Sequence, residues 1–237
     1  MSEIIKLSRS TVEKYHSCPR CCVLDKKYKI KPPTLPFTLN IAVDNLCKNE
    51  FDYYRKIQEP HPLFIQYGID AVPYKHKDLD LWRSNFQGIR YKSTEHHYDF
   101  GGAVDDIWQK KNGDLIIVDV KATSKNNFDW SETYEKYEYA KAYKRQLEMY
   151  QWLFQKNGFQ VAHEAYLLYF NGKKNEEVFN NQLNFDAHLI KLDCSTSWVE
   201  RKIIDTVDLL RSDTFPKPSL NCEYCNYLKK RWELSKT

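Results

Sequence analysis

Four consecutive apolar residues, Leu115-Ile-Ile-Val118, are followed at once by Asp119-Val120-Lys121. A continuous apolar run of this kind reads as a strand buried on both faces, which requires a sheet with layers on either side. Side chains two apart along a strand share a face, so Asp119 and Lys121 project together from the end of that strand. Two charges there cost desolvation unless they pair or bind an ion. A salt bridge closing the strand would account for the pair taken alone, so the flanking segments decide whether it belongs to a larger site.

Those segments alternate in period. Residues 8–17 read as a short helix opened by Ser8, an N-cap type, and 39–56 as a helix with Leu39, Val43, Leu46, Cys47 and Tyr54 within one broad face. Between them, Lys31-Pro-Pro-Thr-Leu-Pro36 is extended by its prolines. Residues 60–87 show no clear period. Residues 89–98, 100–110 and 114–123 read as three consecutive strands, with Gly101-Gly102 near the first junction and Asn112-Gly113 at the second turn. Residues 135–156 carry Tyr143, Leu147, Tyr150 and Phe154 on one helical stripe. Residues 161–170 are a further strand and 197–211 another helix. The order predicts an α/β fold, a mixed central β-sheet flanked by helices. The 237 residues suit a single domain, 1–237.

Composition narrows the function. With 7 Gly and no Gly-rich phosphate loop, nucleotide-driven motors and Rossmann dehydrogenases are disfavoured. No Gly-x-Ser-x-Gly elbow or His-Glu-x-x-His helix is present. A net charge of +4 permits nucleic-acid binding without demanding it. Of the aromatic residues, 15% of the chain and led by 17 Tyr, most should fill the core and a minority could stack on bases. The apolar runs are too short for a membrane span, and the N-terminus lacks a long apolar signal region. A cytoplasmic location without a membrane partner is therefore expected.

The strand before the buried run adds chemistry. In Gly102-Ala-Val-Asp105-Asp106-Ile-Trp108 two acids interrupt an apolar stretch and point to opposite faces, so only one can join Asp119. An Asp on each of two paired strands makes a hard oxygen pocket suited to Mg²⁺ or Mn²⁺. A neighbouring Lys could stabilise developing phosphorane charge or orient an attacking water. On the following helix Gln146 and Tyr150 are four apart and share a face that borders the apolar stripe.

Gly102-x-x-Asp105, Asp119-x-Lys121 and Gln146-x-x-x-Tyr150, in that order, resemble the PD-(D/E)XK nuclease superfamily, and within it the RecB-like branch that includes the CRISPR adaptation nucleases and the AddB nuclease domain. Leu7-Ser-Arg-Ser10 with Tyr15-His-Ser-Cys-Pro19, and Cys222-Glu-Tyr-Cys225-Asn-Tyr227, are similar to the opening and closing motifs of that branch. The likeness implies a restriction-endonuclease-like core. It implies that Asp105, Asp119 and the backbone carbonyl of Val120 bind the catalytic ion, that Lys121 positions water or stabilises charge, and that Gln146 and Tyr150 shape the site and touch the DNA strand. Branch members usually carry a metal-ligating His on the helix after the first cysteine. Asp44 stands in that register, with Glu50 as its rival.

Seven Cys in a chain expected to be cytosolic suggest metal rather than disulfides. Two C-x-x-C pairs, Cys18/Cys21 and Cys222/Cys225, lie at opposite ends of the chain. They are either independent reduced pairs or one site. As one site, four thiolates suit tetrahedral Zn²⁺ and a [4Fe–4S] cluster equally, and either would join the ends, 1–35 and 213–237. The family likeness favours the cluster. Cys22 could replace Cys21, while Cys47 and Cys194 read as core thiols. His96-His97 reads as part of a strand, its side chains diverging. Lys141, Lys144 and Arg145, and the tail Lys229-Lys-Arg231-Trp232, could follow a nucleic-acid backbone.

The expectation is a metal-dependent DNA nuclease acting on single strands or strand ends in repair, recombination or defence. Any helicase, CRISPR or repair partner would be a separate chain. The alternative is a catalytically inactive nucleic-acid-binding module of such a complex.

Overall fold

The computed structural model describes residues 3–33 and 38–236; of the proline-rich stretch 31–36, residues 34–36 lie outside the described residues. Along the chain run β1 (Ile5–Ser8), α1 (Arg9–Ser17), α2 (Pro19–Lys26), α3 (Thr38–Ile57), α4 (Pro62–Gln66), β2 (Ala71–Pro73), α5 (Leu79–Arg83), β3 (Ile89–Ser93), β4 (Tyr98–Gly102), β5 (Asp106–Lys110), β6 (Leu115–Thr123), α6 (Trp130–Lys136), α7 (Glu138–Lys156), β7 (Glu164–Gly172), β8 (Phe185–Asp193), α8 (Val199–Arg211) and α9 (Glu223–Leu234). The fold is mixed α/β, as expected. The elements divide between two compact units. One comprises Met1–Pro36, Lys92–Gly101 and Ser197–Thr237, the other Phe37–Tyr91 and Gly102–Thr196.

The second unit is built on a five-stranded sheet, order β2-β5-β6-β7-β8. β6 lies at its centre, antiparallel to β5 (Ile107↔Ile117) and parallel to β7 (Asp119↔Leu167). Parallel neighbours need a crossover, and α6 and α7 supply it. One face of β6 enters a core of Cys47 and Phe51 from α3 with Phe64, Trp108, Ile116, Val118 and Leu168. The alternate residues, Ile117 and Asp119, point to the other face, and Gln146 of α7 meets Asp119 there. Leu115–Val118 is buried throughout because helices cover both sides.

In the first unit β1 runs parallel to β4, from Ile5↔Tyr98 to Ser8↔Gly101. Ser8 caps α1 through a reciprocal box with Thr11. α1 packs against α2 and α8.

Several local expectations are corrected. The stretch 89–98 is not one strand. It turns at 94–97, where His97 takes a left-handed φ of 50°, and β3 and β4 form a hairpin. His96-His97 is therefore in a turn. Gly101-Gly102 makes no hairpin; it closes β4, and 103–105 leads into β5 of the other sheet. Gly88 has φ +65°, and a Cβ on it would come within 2.3 Å of the Gly102 carbonyl oxygen, so this close approach requires glycine. On α3 the buried stripe is Val43, Cys47, Phe51 and Arg55, whereas Leu39 and Leu46 are 60% and 69% exposed. The i, i+4 row that includes Phe51 reaches the sheet, and it is rotated from the face centred on the leucines. The helix expected over 135–156 breaks at the extended Tyr137, with α6 before it and α7 after it, and β1, α2, α4, β2, α5, β8 and α9 were not expected from sequence. No helix of the described residues is long and apolar enough to cross a membrane.

Candidate active site and a four-cysteine cluster

β6 delivers Asp119 into the space beneath α7, where its carboxylate is wholly buried. Gln146 Nε2 donates to Asp119 Oδ1 at 2.7 Å and lies 3.3 Å from the Tyr150 hydroxyl. Asp119 Oδ2 has the Lys121 ammonium as its counter-ion. Asp105 sits in the bend just before β5, where its Oδ2 accepts the backbone N–H of Val120 at 2.8 Å. That bond fastens it to β6 between Asp119 and Lys121. From α3, Asp44 Oδ2 accepts Lys48 Nζ at 2.6 Å, and the same ammonium lies 3.9 Å from Asp105 Oδ1. Lys121 Nζ lies 3.4 Å from the Val120 carbonyl and 4.7 Å from the Tyr143 ring centre.

The electrostatics follow from crowding charges out of water. Burial pushes the Asp119 carboxyl up, Lys121 opposes the rise and Asp105 adds to it. Burial also raises Asp44, again with Asp105 adding. For Lys121 burial disfavours the charge, but Asp119 and Asp105 outweigh it and hold the ammonium above the usual lysine range. Three carboxylates thus face two ammoniums. Asp44 Oδ1 is buried without a hydrogen-bond partner, and Asp119 Oδ2 likewise has none beyond its counter-ion. Bare, buried carboxylate oxygens are the donors that a hard divalent cation takes. Among the described residues no three carboxylates are yet drawn to ligand spacing; Lys48 and Lys121 supply positive charge among them.

The structure therefore brings together Asp44, Asp105, Asp119, Val120, Lys121 and Gln146, with Tyr150 behind Gln146. Glu50 does not join them. It accepts from His61 Nε2 at 2.9 Å, and His61 caps α4. Tyr150 is 3% exposed, which suits bracing Gln146 rather than reaching a strand. Asp106 points away, as its register required, and meets Arg55 of α3 and Arg83 of α5. Sequence reasoning missed Lys48, although its i, i+4 spacing from Asp44 was visible. It also missed Tyr143 as a neighbour of Lys121, and it missed both arginines, which carry no local signal.

In the first unit each C-x-x-C opens a helix. Cys18 is the N-cap of α2 with Pro19 following, and Cys222 is the N-cap of α9. Helix N-termini present backbone N–H groups that favour thiolates. Cys18 Sγ accepts the Ser219 N–H at 3.5 Å. Burial works against its thiolate, but the Ser219 and Cys21 amides bring the Cys18 pKa down to about 7. Sulfur separations are 3.9 Å for Cys18–Cys225, 3.5 Å for Cys21–Cys222 and 3.6 Å for Cys21–Cys225. All four sulfurs lie within 4.8 Å of one another, a group that could hold a metal ion. Cys22 turns away, donating to the Thr11 carbonyl, and burial pushes its thiol up to about 11. Cys47 lies in the core, and Cys194 is half-buried.

A sequence model of the PD-(D/E)XK nuclease superfamily matches residues 42–229. No curated protein matches the chain by sequence. Among solved structures, the protein SSO0001 aligns with a TM-score of 0.48 and 16% identity, over 97% of this chain and 86% of its own. A candidate exonuclease from Eubacterium rectale aligns with a TM-score of 0.43 and 13% identity, over 93% and 86%.

Proposed function

The chain belongs to the PD-(D/E)XK nuclease superfamily, and from that membership we propose that it is a divalent-metal-dependent nuclease hydrolysing phosphodiester bonds of DNA, acting on single strands or strand ends. The observation that carries the reading is the buried Asp119, held by Gln146 on one oxygen and facing Lys121 with the other. Asp44, Asp105, Asp119 and the Val120 carbonyl would hold Mg²⁺ or Mn²⁺. Bound there, the ion would polarise the phosphate and lower the pKa of a coordinated water.

The remaining roles belong to the chain itself. Gln146 orients Asp119, and Tyr150 fixes Gln146. The Val120 N–H holds Asp105 in place. Lys121 stays charged because Asp119 and Asp105 face it. It can therefore stabilise negative charge developing at the phosphate or orient the attacking water.

The RecB-like likeness supports repair, recombination or defence as the setting, in the cytoplasm, with any helicase, CRISPR or repair partner as a separate chain. The second reading, a non-cleaving nucleic-acid-binding module, is favoured by one observation: Asp44 stands where the branch usually has His. Cleavage of end-labelled single- and double-stranded DNA with Mg²⁺ or Mn²⁺ tests the two. Cleavage that vanishes in Asp119→Ala and in Lys121→Ala establishes the nuclease. DNA binding without cleavage by the folded wild type establishes the binding module.

For the four thiols, the spacing supports a single tetrahedral ion. Zn–S bonds of about 2.3 Å place thiolates roughly 3.8 Å apart, close to three of the sulfur separations here, 3.5–3.9 Å, with all four sulfurs within 4.8 Å. The thiolates of a [4Fe–4S] cluster bind separate irons at the corners of a cube and stand further apart. Zn²⁺ is therefore our reading, with the cluster as the alternative.

A further inference from the structure

Beside Lys121 a row of tyrosines leads away from the site. The Tyr143 ring lies under the Lys121 ammonium. The Tyr139 ring centre is 5.6 Å from Tyr143, and Tyr137 is 5.3 Å from Tyr139, nearly parallel at 24°. The backbone explains the row. Tyr137 is the extended N-cap residue between α6 and α7, so it and Tyr139 emerge together rather than on opposite sides of a continuous helix. Tyr137 and Tyr139 are 38% and 39% exposed. Lys125, two residues past the end of β6, aims its Nζ at both, 5.2 Å from Tyr137 and 5.9 Å from Tyr139. Thr133 holds that ammonium at 2.9 Å. Lys136 adds a second charge 5.4 Å from Tyr137.

The row ends at a cavity of about 330 Å³ lined by Lys125, Asn126, Asn127, Asp129, Glu132 and Lys174 among others. Amides, acids and ammoniums together offer donors and acceptors, which a nucleobase edge requires and a bare phosphate does not. Exposed rings interleaved with lysines are the surface on which unpaired bases stack while phosphates meet positive charge. A buried-core role does not explain rings left more than a third exposed.

We propose that Tyr143, Tyr139 and Tyr137 form a stacking track that holds unpaired nucleotides of the substrate strand next to the scissile phosphate, with Lys125 countering phosphate charge and the cavity receiving a base at the track's end. This rests on the nuclease reading for the position of the scissile phosphate. The occupant is a nucleic-acid strand rather than a peptide because the row of rings starts at Lys121 and has Lys125 and Lys136 against its far end.

The test compares single-stranded oligonucleotides of about 4 and about 12 nucleotides, some carrying 2-aminopurine near the cleaved bond. The proteins are wild type, Tyr137→Ala/Tyr139→Ala, Tyr137→Phe/Tyr139→Phe and Lys125→Ala, each checked for an unchanged melting temperature. The alanine pair should weaken binding of the long strand at least about tenfold and abolish 2-aminopurine quenching. It should weaken binding of the short strand, which spans less of the track, by a clearly smaller factor, and the phenylalanine pair should bind like wild type. Lys125→Ala should reduce the salt slope by about 0.7. Wild-type affinity and quenching in the alanine pair would overturn the track, as would equal losses on short and long strands. If the wild type never cleaves but binds with ring-dependent quenching, the nuclease reading fails and the track stands. If it cleaves and the rings do not matter, the reverse holds.

Discussion

Lys48 is the residue whose position says most about how the acidic site is kept ready. Its ammonium lies 2.6 Å from Asp44 and 3.9 Å from Asp105, so it competes for the carboxylates that a divalent ion would use. Lys48→Met removes that competitor while retaining length and apolar stem. We expect the Mn²⁺ concentration for half-saturation to fall severalfold, read by calorimetric titration; an unchanged or higher value would show that Lys48 does not occupy the cation's place. At this scale the motif residues were legible in sequence because each has a local signature: an acid interrupting an apolar run, a Lys two beyond an Asp, a Gln four before a Tyr. The register of the likeness pointed to Asp44 but left Glu50 as its rival. Both lie on α3, and what separates them is the partner each meets, Lys48 and Asp105 for one and His61 for the other.

Among elements, α3, α5 and β5 are tied by one network, buried at Asp106, Arg55 and Arg83 and half-exposed at Asp52. Asp106 accepts from Arg55 and Arg83, and Asp52 accepts from the same two arginines, with Arg83 Nη1 2.8 Å from Asp52 Oδ1 and Arg83 Nη2 2.9 Å from Asp106 Oδ1. Two Asp and two Arg are mutually neutralised. Removing Asp106 strands two buried guanidiniums in a low-dielectric interior, at about 3–5 kcal/mol for a buried pair. Asp106→Ala should therefore cost about 3 kcal/mol in urea unfolding, while Asp114→Ala, at the β5–β6 turn, should cost little. Equal effects would show that the network adds nothing. The central strand and the α7 crossover were readable from period alone. The β3–β4 hairpin was not, because Thr94–His97 contains neither Gly nor Pro and His97 accepts a left-handed conformation unaided. The edge strand β8 was missed because burial along it is partial and irregular.

For the whole molecule, the thiol cluster joins segments more than 190 residues apart in sequence, so an ion there would close a very long loop. Stabilisation of that kind grows with the ion's affinity for the folded state. Purified protein should contain about one equivalent of zinc, remain colourless, and lose several degrees of melting temperature with a strong chelator or in Cys222→Ser. A brown protein absorbing near about 400 nm with four irons would identify the cluster instead. What the sequence by itself determined was the class of fold, the central buried strand and the residue types of both candidate sites, because periodicity and misplaced charge are local quantities. Tertiary structure decided against the rivals that the sequence had left open, Glu50 beside Asp44 and Cys22 beside Cys21, and it alone lined up three tyrosines beside Lys121. Those outcomes depend on how helices rotate against the sheet and where a helix breaks, and packing between segments distant in sequence sets both.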